Sequence, residues 1–399
     1  MKRIVLRRPS ILTCLGDEHA TWNALVAGET GIRELSGDMR DDLPITRAAV
    51  IEHIPELACL DFSERRRSSR AALLALSVAA DTVGTYSRDQ QWGDSCGIFL
   101  GTGIGAMGVL CNAFHGYRTR GLRGIPPLGV PTGMPSAPAA LISQKLGLRG
   151  ASQTISTACA SSLDALGMAA MCVRAEAIER AIVVGVEAFQ PEMLAGFIRT
   201  GALDSLGQAC PFDVNRNGFA LGEGAAAVLV EADSTEACNA TDEFELLSYC
   251  ATSDAHHLTA PDPEGVGARR MITDLLRIAR IEASDVGFVK AHGTGTRLND
   301  ATEALAIRSV LGSDVPVVSF KGAIGHTIGA SGLIEVILAL RALSECLIPG
   351  TVGCQDPDPD LCIAVGPHSV RPRSNTVIAN ALGFGGQNSS VLLRSPGVA

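Results

Sequence analysis

The chain has 399 residues, of which 46% are hydrophobic, 19% charged and 4% aromatic, and its formal charge at pH 7 is −9. This composition predicts a compact globular protein with two domains or one large duplicated domain, and it excludes a disordered or fibrous chain. The negative charge argues against a nucleic-acid-binding protein, because phosphate neutralisation needs a basic face.

Cysteine spacing and hydropathy bear on the cellular compartment. The 12 cysteines are scattered without the spacing of a zinc site, which is typical of a chain in the reducing cytoplasm. The N-terminal residues lack the apolar core of a signal peptide, and no uncharged apolar run reaches the roughly 18 residues of a membrane span. We therefore expect a cytoplasmic protein that does not cross a membrane.

Four arginines stand near the start of an early predicted helix. Residues 2–6 indicate a strand, and Ser63 is predicted to cap a helix that runs to about Val83. The first turn of that helix would hold cations where the helix dipole disfavours them. A solvated face is the ordinary explanation, but such a cluster also indicates a docking patch for an acidic partner. The patch consists of Arg65, Arg66, Arg67 and Arg70.

A glycine-rich segment follows the next predicted strand, Cys96–Leu100. Gly103, Gly105 and Gly108 match the Gly-x-Gly-x-x-Gly pattern of dinucleotide sites. Such a site needs an acidic residue about 20 positions further on. Aromatic and basic residues follow instead, so we reject a dinucleotide site. Residues 122–138 are rich in Pro and Gly and are predicted to form a long irregular loop.

Cys159 stands where a predicted buried strand, Gln153–Thr157, meets a predicted helix. Unpaired N–H groups and the helix dipole at that junction favour a thiolate, which lowers the pKa of the thiol from about 8.5. A buried structural cysteine is the alternative. This segment alone leaves both interpretations open.

The second half of the chain is predicted to repeat the first. The acidic, polar stretch Glu231–Glu243 is the predicted linker, and it divides the chain into residues 1–238 and 239–399. A strand over Val315–Phe320, a turn of small residues and an apolar helix then repeat the plan around Cys159. The repeat predicts a duplicated α/β fold with stacked layers of helices and sheets.

Two histidines in this half each lie among Gly and Thr residues. His292 stands in Val-Lys-Ala-His-Gly-Thr-Gly-Thr, and His326 stands in Lys-Gly-Ala-Ile-Gly-His, which begins at Lys321. Open α/β sheets bind ligands where strands end. A single histidine is more often a core residue, but two of them with a lysine and the junction cysteine indicate catalysis.

These motifs resemble the β-ketoacyl-acyl-carrier-protein synthases of the thiolase superfamily, and specifically the elongating type related to synthase II and polyketide ketosynthases. Besides Cys159 and the two histidine motifs, residues 211–224 resemble the Pro-Phe-Asp…Gly-Glu-Gly segment of that family, and residues 380–388 resemble its Gly-Phe-Gly-Gly-Thr-Asn loop. The resemblance spans essentially the whole chain. It implies a thiolase-type fold, in which two duplicated halves form five α-β-α-β-α layers.

The resemblance also implies a decarboxylative Claisen condensation. Cys159 takes an acyl chain from acyl carrier protein, and malonyl-carrier protein then loses CO2 to give an enolate. His292 and His326 donate N–H groups to the enolate oxygen. Lys321 supplies positive charge, and Glu335 is its acidic partner. Replacement of His326 is expected to spare acylation more than condensation.

Other residues gain expected roles from the same resemblance. The N–H of Phe384, in the turn that contains Gly385, joins the N–H of the nucleophile in an oxyanion hole. Phe384 also gates the acyl pocket, and Ile104 borders it, although ordinary core packing is the alternative for both. Thr294 and Thr296 bind the pantetheine amides.

The expected partners follow from this chemistry. Acyl carrier protein is acidic, so the arginine patch would dock it. Substrates arrive on its phosphopantetheine arm, so no separate cofactor and no metal are expected. The family works as dimers, and we expect a homodimer or a heterodimer with a chain-length-factor paralogue. We expect neither nucleic acid nor membrane as a partner.

Three positions depart from the family pattern. Cys210 stands in place of Arg, Gly322 in place of Ser or Thr, and Gln387 in place of Thr. These departures indicate a specialised synthase, such as one that makes polyenes, rather than a routine fatty-acid enzyme.

Three other functions compete with a condensing enzyme. A non-catalytic chain-length partner usually lacks the cysteine, and a Cys-His hydrolase has no need of two histidines and a lysine. A metal protein would use Asp254, His256 and His257, but adjacent histidines on a strand point apart. Release of CO2 from malonyl-carrier protein would separate condensation from the first two functions.

Overall fold

The structure, a computed structural model, describes residues 2–36, 43–84, 90–233 and 243–396. The predicted linker is described only at its two ends. The predicted boundary between residues 238 and 239 lies outside the described residues.

Strands and helices alternate along the described chain. The strands are β1 Ile4–Thr13, β2 Arg33–Glu34, β3 Arg47–Ala48, β4 Cys96–Gly101, β5 Ser152–Ile155, β6 Arg180–Glu187, β7 Gly224–Ala232, β8 Phe244–Ser253, β9 Phe288–Lys290, β10 Val317–Val318, β11 Thr376–Gly383 and β12 Gln387–Arg394. The helices are α1 Glu18–Ala27, α2 Phe62–Arg67, α3 Arg70–Val83, α4 Gln90–Asp94, α5 Met107–Arg120, α6 Gly129–Gly133, α7 Ala137–Leu146, α8 Ser161–Arg174, α9 Pro191–Thr200, α10 Val266–Ala279, α11 Arg297–Leu311, α12 Lys321–Ile324 and α13 Ser331–Ser344.

The main sheet of the described residues has the strand order β10-β9-β11-β12-β8-β1-β7-β6-β4-β5. In the N-terminal half, β5, β4 and β6 are parallel neighbours, and β7 and β1 follow antiparallel. In the C-terminal half, β10, β9 and β11 are parallel, and β12 and β8 follow antiparallel. A short antiparallel pairing of β1 with β8 joins the halves. The shared pattern confirms the predicted duplication.

Helices separate the two half-sheets and cover their outer faces. Helices α8 and α13 pack against each other and against strands of both halves at the centre, α3 and α7 cover the N-terminal half-sheet, and α10 packs on β8, β12 and α11 in the other. The central helices use small and aliphatic side chains such as Leu166, Leu333 and Val336, which are fully buried. The order of layers is the predicted α-β-α-β-α.

Two predicted elements need correction. Strand β5, predicted to be buried, is the edge strand of the sheet, and its residues are exposed or half-buried. It lacks a second neighbouring strand among the described residues. The predicted loop 122–138 contains the short helix α6 and the start of α7. Proline in the first turn of α7 favours that helix, because its fixed φ suits a helix start.

The predicted helix over residues 63–83 is two helices. Asp61 caps α2, and Ser69 caps α3. The arginines at 65–67 therefore lie in the last turn of α2, where the helix dipole favours cations. The prediction that the dipole disfavours them is wrong, because a new helix begins at Arg70.

Arg70, whose side chain is 38% exposed, is held in an ion pair with a fully buried carboxylate. Its guanidinium lies 2.5 Å and 2.7 Å from the two carboxylate oxygens of Glu223. The Glu223 side chain is 0% exposed, and it also accepts hydrogen bonds from the N–H groups of Ile51 and Phe189, each at 2.9 Å. The ion pair thus ties α3 to the start of β7.

We predict that Arg70→Met lowers the free energy of unfolding by about 1–2 kcal/mol, because it leaves the Glu223 carboxylate buried without its cation, while solvent at the 38% exposed arginine side chain screens part of the pair. The matched control, Arg67→Met on exposed α2, should change it by less than ~0.5 kcal/mol. Chemical denaturation at pH 7 measures both values. An equally small change in both variants would contradict a structural role for Arg70.

Candidate active site

Cys159 lies in a sharp turn between β5 and α8. A single 3-10 turn, Ala158–Ala160, runs directly into α8, and Ala158 has a left-handed φ of 51°. The Ser161 hydroxyl accepts a hydrogen bond from the N–H of Thr157 at 2.9 Å and donates one to the carbonyl oxygen of Ala158 at 2.6 Å. This turn places the sulfur at the N-terminus of a buried helix, as the sequence predicts.

The second half repeats this turn ahead of α13. The matching 3-10 turn is Ile328–Ala330, and its first residue has a φ of 40°. The two turns contact each other, because α8 and α13 pack side by side. Gly329 lets the second turn approach the segment after β4, since a Cβ there would lie 2.2 Å from the nitrogen of Gly103. His326, just ahead of the second turn, consequently lies beside Cys159.

Cys159, His292 and His326 form one buried cluster. The Cys159 sulfur lies 3.0 Å from Nε2 of His326, and the centroids of the two imidazole rings are 5.2 Å apart. The sulfur and one nitrogen of each ring lie within 4.8 Å of one another. The structure therefore brings together the three residues that the sequence analysis selects for catalysis.

Burial sets the charge state of this cluster. It raises the pKa of the Cys159 thiol to about 12, and Lys321 and the N–H of Phe384 offset only part of the effect. Burial, followed by the charge of Lys321, lowers the pKa of His292 and of His326 well below the usual range. At neutral pH the cluster thus holds a thiol and neutral imidazoles. The expected thiolate is wrong, because the helix dipole does not compensate for lost solvation.

Glu335 is a shared acceptor behind the histidines. Its carboxylate accepts hydrogen bonds from Lys321 and Lys290, each at 2.6 Å, and from the Ser331 hydroxyl at 2.9 Å. The predicted pairing of Lys321 with Glu335 is present. Lys290 is not among the predicted site residues. A lysine in an otherwise apolar strand, two residues before His292, could have indicated it.

Phe384 lies at the tip of the β11–β12 hairpin. Gly385 and Gly386 follow with φ values of 82° and 72°, which favour glycine. The N–H of Gly385 donates to the carbonyl oxygen of Leu258 at 2.7 Å, and the Phe384 ring meets that of Phe197 with centroids 6.1 Å apart. The backbone N–H of Phe384 acts on the Cys159 sulfur and lowers the pKa of its thiol. The turn therefore lies where an oxyanion hole and a gate are expected.

A cavity of about 360 Å³ reaches this cluster, and its lining includes Cys159, Thr294 and Thr296. The hydroxyl oxygens of the two threonines lie 3.0 Å apart. Leu298 also lines the cavity and is 61% exposed, so the cavity opens to the surface. The predicted pantetheine-binding threonines thus lie on the wall of a passage to the sulfur.

Ile104 is partly buried in an apolar cluster that includes Cys159 and Phe189. Its N–H and that of Gly103 donate to the Glu187 carboxylate, at 3.2 Å and 2.6 Å. Burial raises the pKa of Glu187 to about 7. This location agrees both with a wall of the acyl pocket and with core packing.

Comparisons with known proteins identify the family. The chain matches the model of the beta-ketoacyl synthase N-terminal domain over residues 10–236 and that of the C-terminal domain over residues 244–355. The chain belongs to the β-ketoacyl synthase family.

The similarity to individual synthases extends over the whole chain. It is 31% identical to 3-oxoacyl-[acyl-carrier-protein] synthase 2 of Staphylococcus aureus (strain COL), with 98% of each chain covered. A beta-ketoacyl synthase from Burkholderia phymatum STM815 superposes with a TM-score of 0.91 at 24% identity over 100% of both chains. The ishigamide ketosynthase/chain length factor gives 0.89 at 26% identity, over 99% of this chain and 100% of that one. The thiolase-type fold and the condensing acyltransferase class are confirmed.

One departure from the synthase pattern has a structural reason. A Cβ on Gly322 would lie 1.7 Å from the carbonyl oxygen of Val352, so Ser or Thr does not fit this backbone. Nothing in the structure explains Cys210 or Gln387.

Asp254, His256 and His257 do not form a metal-binding group within the described residues. The His257 Nδ1 accepts hydrogen bonds from the N–H groups of Thr259 and Ala260, at 3.1 Å and 3.2 Å, and so stabilises its own loop. Within the described ranges, the cluster at Cys159 is the group whose donor atoms lie close enough to share an ion. The charge of Lys321 beside it disfavours a dication, so we assign this cluster to acyl chemistry.

Across the described residues, no helix combines the length and the apolar character that crossing a bilayer requires.

Iodoacetamide labelling checks the protonation state of Cys159. A thiol with a pKa of about 12 stays protonated below that pH, so alkylation of Cys159 at pH 7 should be slower than alkylation of exposed Cys59. Its rate should still rise toward pH 10. Peptide mass spectrometry of timed samples measures both rates, with Cys59 as the internal control. A rate for Cys159 that is already maximal at pH 7 would indicate a thiolate.

Proposed function

We propose that this β-ketoacyl synthase joins an acyl group held on Cys159 to malonyl-acyl carrier protein, with loss of CO2. The 3.0 Å contact between the Cys159 sulfur and Nε2 of His326, at the inner end of an open cavity, carries this proposal. A thiolate formed there is both a good nucleophile and a good leaving group, which the two half-reactions require in turn.

Acylation begins from the neutral thiol. As the sulfur of Cys159 attacks the incoming thioester, Nε2 of His326 takes the thiol proton and passes it to the departing pantetheine sulfur. The N–H groups of Cys159 and Phe384 stabilise the negative oxygen of the intermediate. Because burial keeps the thiol protonated, the proton leaves only when a substrate carbonyl is in place.

Decarboxylation uses both imidazoles as donors. The bond to the malonyl carboxylate breaks, and its electron pair forms an enolate whose oxygen accepts N–H groups from His292 and His326. The enolate carbon then attacks the acyl thioester, the new C–C bond forms as the C–S bond breaks, and the Cys159 thiolate leaves and takes up one proton from solvent through the open cavity. Nδ1 of neither ring has a hydrogen-bond partner among the described residues, so no carboxylate fixes the tautomer.

Replacements of the three cluster residues should separate the two half-reactions. Cys159→Ala should abolish acylation and condensation. His292→Ala should spare acylation but slow condensation by at least about 100-fold, because it removes one enolate donor. His326→Ala should impair both steps, since Nε2 of His326 contacts the sulfur. We therefore expect replacement of His292, rather than replacement of His326, to spare acylation more than condensation.

The measurement is mass spectrometry of the acyl-enzyme and of the β-ketoacyl product, with malonyl- and acyl-carrier proteins as substrates. His368→Ala, at an exposed histidine, is the matched control and should leave both steps unchanged. If wild-type protein forms the acyl-enzyme but releases free acid and no CO2, it is a hydrolase. If it does not become acylated at all, a chain-length partner is favoured.

The open edge of the sheet supports a dimer. Strand β5 is an edge strand, and α7 contacts both β5 and α6. Nearby, Phe114 is 65%, Leu122 80% and Val130 53% exposed. An unpaired strand edge beside exposed apolar side chains favours pairing with another chain. The second chain would be an identical copy or a chain-length-factor paralogue, and Cys159 makes this chain the catalytic subunit in either assembly.

Acyl carrier protein would dock at the exposed arginines of α2. Arg66 and Arg67 are exposed, and the Arg66 guanidinium lies 5.8 Å from the centroid of the exposed Phe62 ring. Arg65 is half-buried and donates to the carbonyl oxygen of Ile54 at 3.3 Å, while Arg70 is held by Glu223. We therefore restrict the proposed docking patch to Arg66 and Arg67, and we exclude Arg65 and Arg70 from it.

The double replacement Arg66→Glu with Arg67→Glu should raise KM for acyl-carrier-protein substrates several-fold at low salt while kcat stays constant, because it reverses the charge that steers association. Arg277→Glu, at a 70% exposed arginine on α10, is the control. The effect should diminish at high salt. An unchanged KM at low salt would contradict docking at α2.

The reaction would operate in fatty-acid or polyketide assembly in the cytoplasm, with all intermediates on carrier protein and no separate cofactor. The similarity of the chain to a 3-oxoacyl-[acyl-carrier-protein] synthase 2 and to a ketosynthase/chain length factor supports both types of pathway.

A further inference from the structure

Lys290 is a buried cation inside the sheet. It is the last residue of β9, its side chain is 0% exposed, and β9 lies between β10 and β11. Its Nζ donates to Oε2 of Glu335 and to the carbonyl oxygen of Asn380, each at 2.6 Å. A lysine is rarely buried fully without such partners. The proposed condensation mechanism assigns it no role.

Two lysines share the Glu335 carboxylate. Oε1 accepts from Lys321 at 2.6 Å, and Oε2 accepts from Lys290 at 2.6 Å. Glu303, also 0% exposed, is the second buried carboxylate near Lys290. Burial of four charged side chains is costly even when they are paired, so the second lysine is not explained by stability alone.

The same lysine connects to the loop of His292 through Asn380. The Asn380 side-chain nitrogen donates to Oε1 of Glu303 at 3.2 Å. Glu303 in turn accepts the N–H groups of His292 at 2.7 Å and Gly293 at 2.9 Å. A continuous buried network therefore runs from the lysine pair to the backbone of His292.

The charged groups of this buried network lie on several elements. Lys321 lies on α12, Lys290 on β9, Glu335 on α13 and Glu303 on α11. After burial and Lys321, the charge of Lys290 also lowers the pKa of the imidazoles of His292 and His326. The charges of Lys321 and Lys290 thus disfavour the imidazolium forms.

We propose that Lys290 is a positioning residue of the condensing site: it anchors the segment that carries His292 and supplies, with Lys321, the positive charge behind both imidazoles. The inference rests on the proposed roles of the histidines. Its consequence is that His326 remains able to accept the Cys159 proton at mildly acidic pH, since a neighbouring cation disfavours a second one.

Two variants separate the charge of Lys290 from its packing. Lys290→Met removes the charge and the donor, and Lys290→Gln removes the charge but keeps an N–H donor. Both leave the pair of Lys321 with Glu335 intact. The matched control, Lys145→Met, removes another paired lysine, whose partner is Glu64 on α2. Thermal unfolding of each variant confirms that the fold is kept.

The first readout is NMR titration of ¹³C-labelled histidine, assigned with His292→Asn and His326→Asn variants. We expect the pKa of both imidazoles to rise in Lys290→Met and in Lys290→Gln, and to stay constant in Lys145→Met. This measurement needs no turnover, so it tests Lys290 even if the wild-type protein proves not to be a condensing enzyme. Unchanged titration in both Lys290 variants would overturn the proposal.

The second readout is the pH dependence of each half-reaction. The acid limb of acylation should move to higher pH in both Lys290 variants, and condensation at pH 7 should slow roughly tenfold with KM unchanged. A purely structural lysine would give a different result, in which Lys290→Gln restores the rate and neither pH profile moves. Full activity of Lys290→Met at all pH values would also overturn the proposal.

Discussion

The active site depends on the contact between two copies of one turn. Each half of the chain ends a parallel strand, bends through a left-handed residue and starts a central helix, and the two helices lie side by side. One turn carries Cys159, and the other carries Gly329, directly after the segment of His326. The sulfur and the imidazole are 167 positions apart in sequence but 3.0 Å apart in space. Duplication of a fold thus creates a reactive pair that neither half contains.

Desolvation dominates the electrostatics of that pair. A helix N-terminus contributes at most about 2 kcal/mol in favour of an anion. A thiol pKa near 12 instead corresponds to roughly 4 kcal/mol against the thiolate relative to an ordinary cysteine. The effect of burial on the thiol is therefore larger than the effect of the helix dipole, and the site holds a neutral thiol beside neutral imidazoles. The same dry surroundings strengthen N–H donors toward a transient enolate or oxyanion, because little solvent competes for them.

Charge behind the histidines is distributed over a network that no single segment contains. Glu335 joins two lysines, while Glu303 holds the backbone of His292. The elements involved are strands β9 and β11 and helices α11, α12 and α13. Each buried charge has a partner on a different element, so the network also fixes how the elements pack. The same buried contacts consequently hold the catalytic residues in position and fix the packing of the core.

The sequence alone determined the duplicated fold, the nucleophile and its two histidines, because short motifs and strand–turn–helix patterns are local properties. The sequence did not predict the break between α2 and α3, where two caps lie close together and divide one predicted helix into two. It also did not indicate a role for Lys290, whose partners are 45 and 90 positions away. Only the tertiary structure decided that Arg70 pairs with the buried Glu223 and that Cys159 is a thiol. Burial and ion pairing depend on which distant segments meet, and a local pattern does not contain that information.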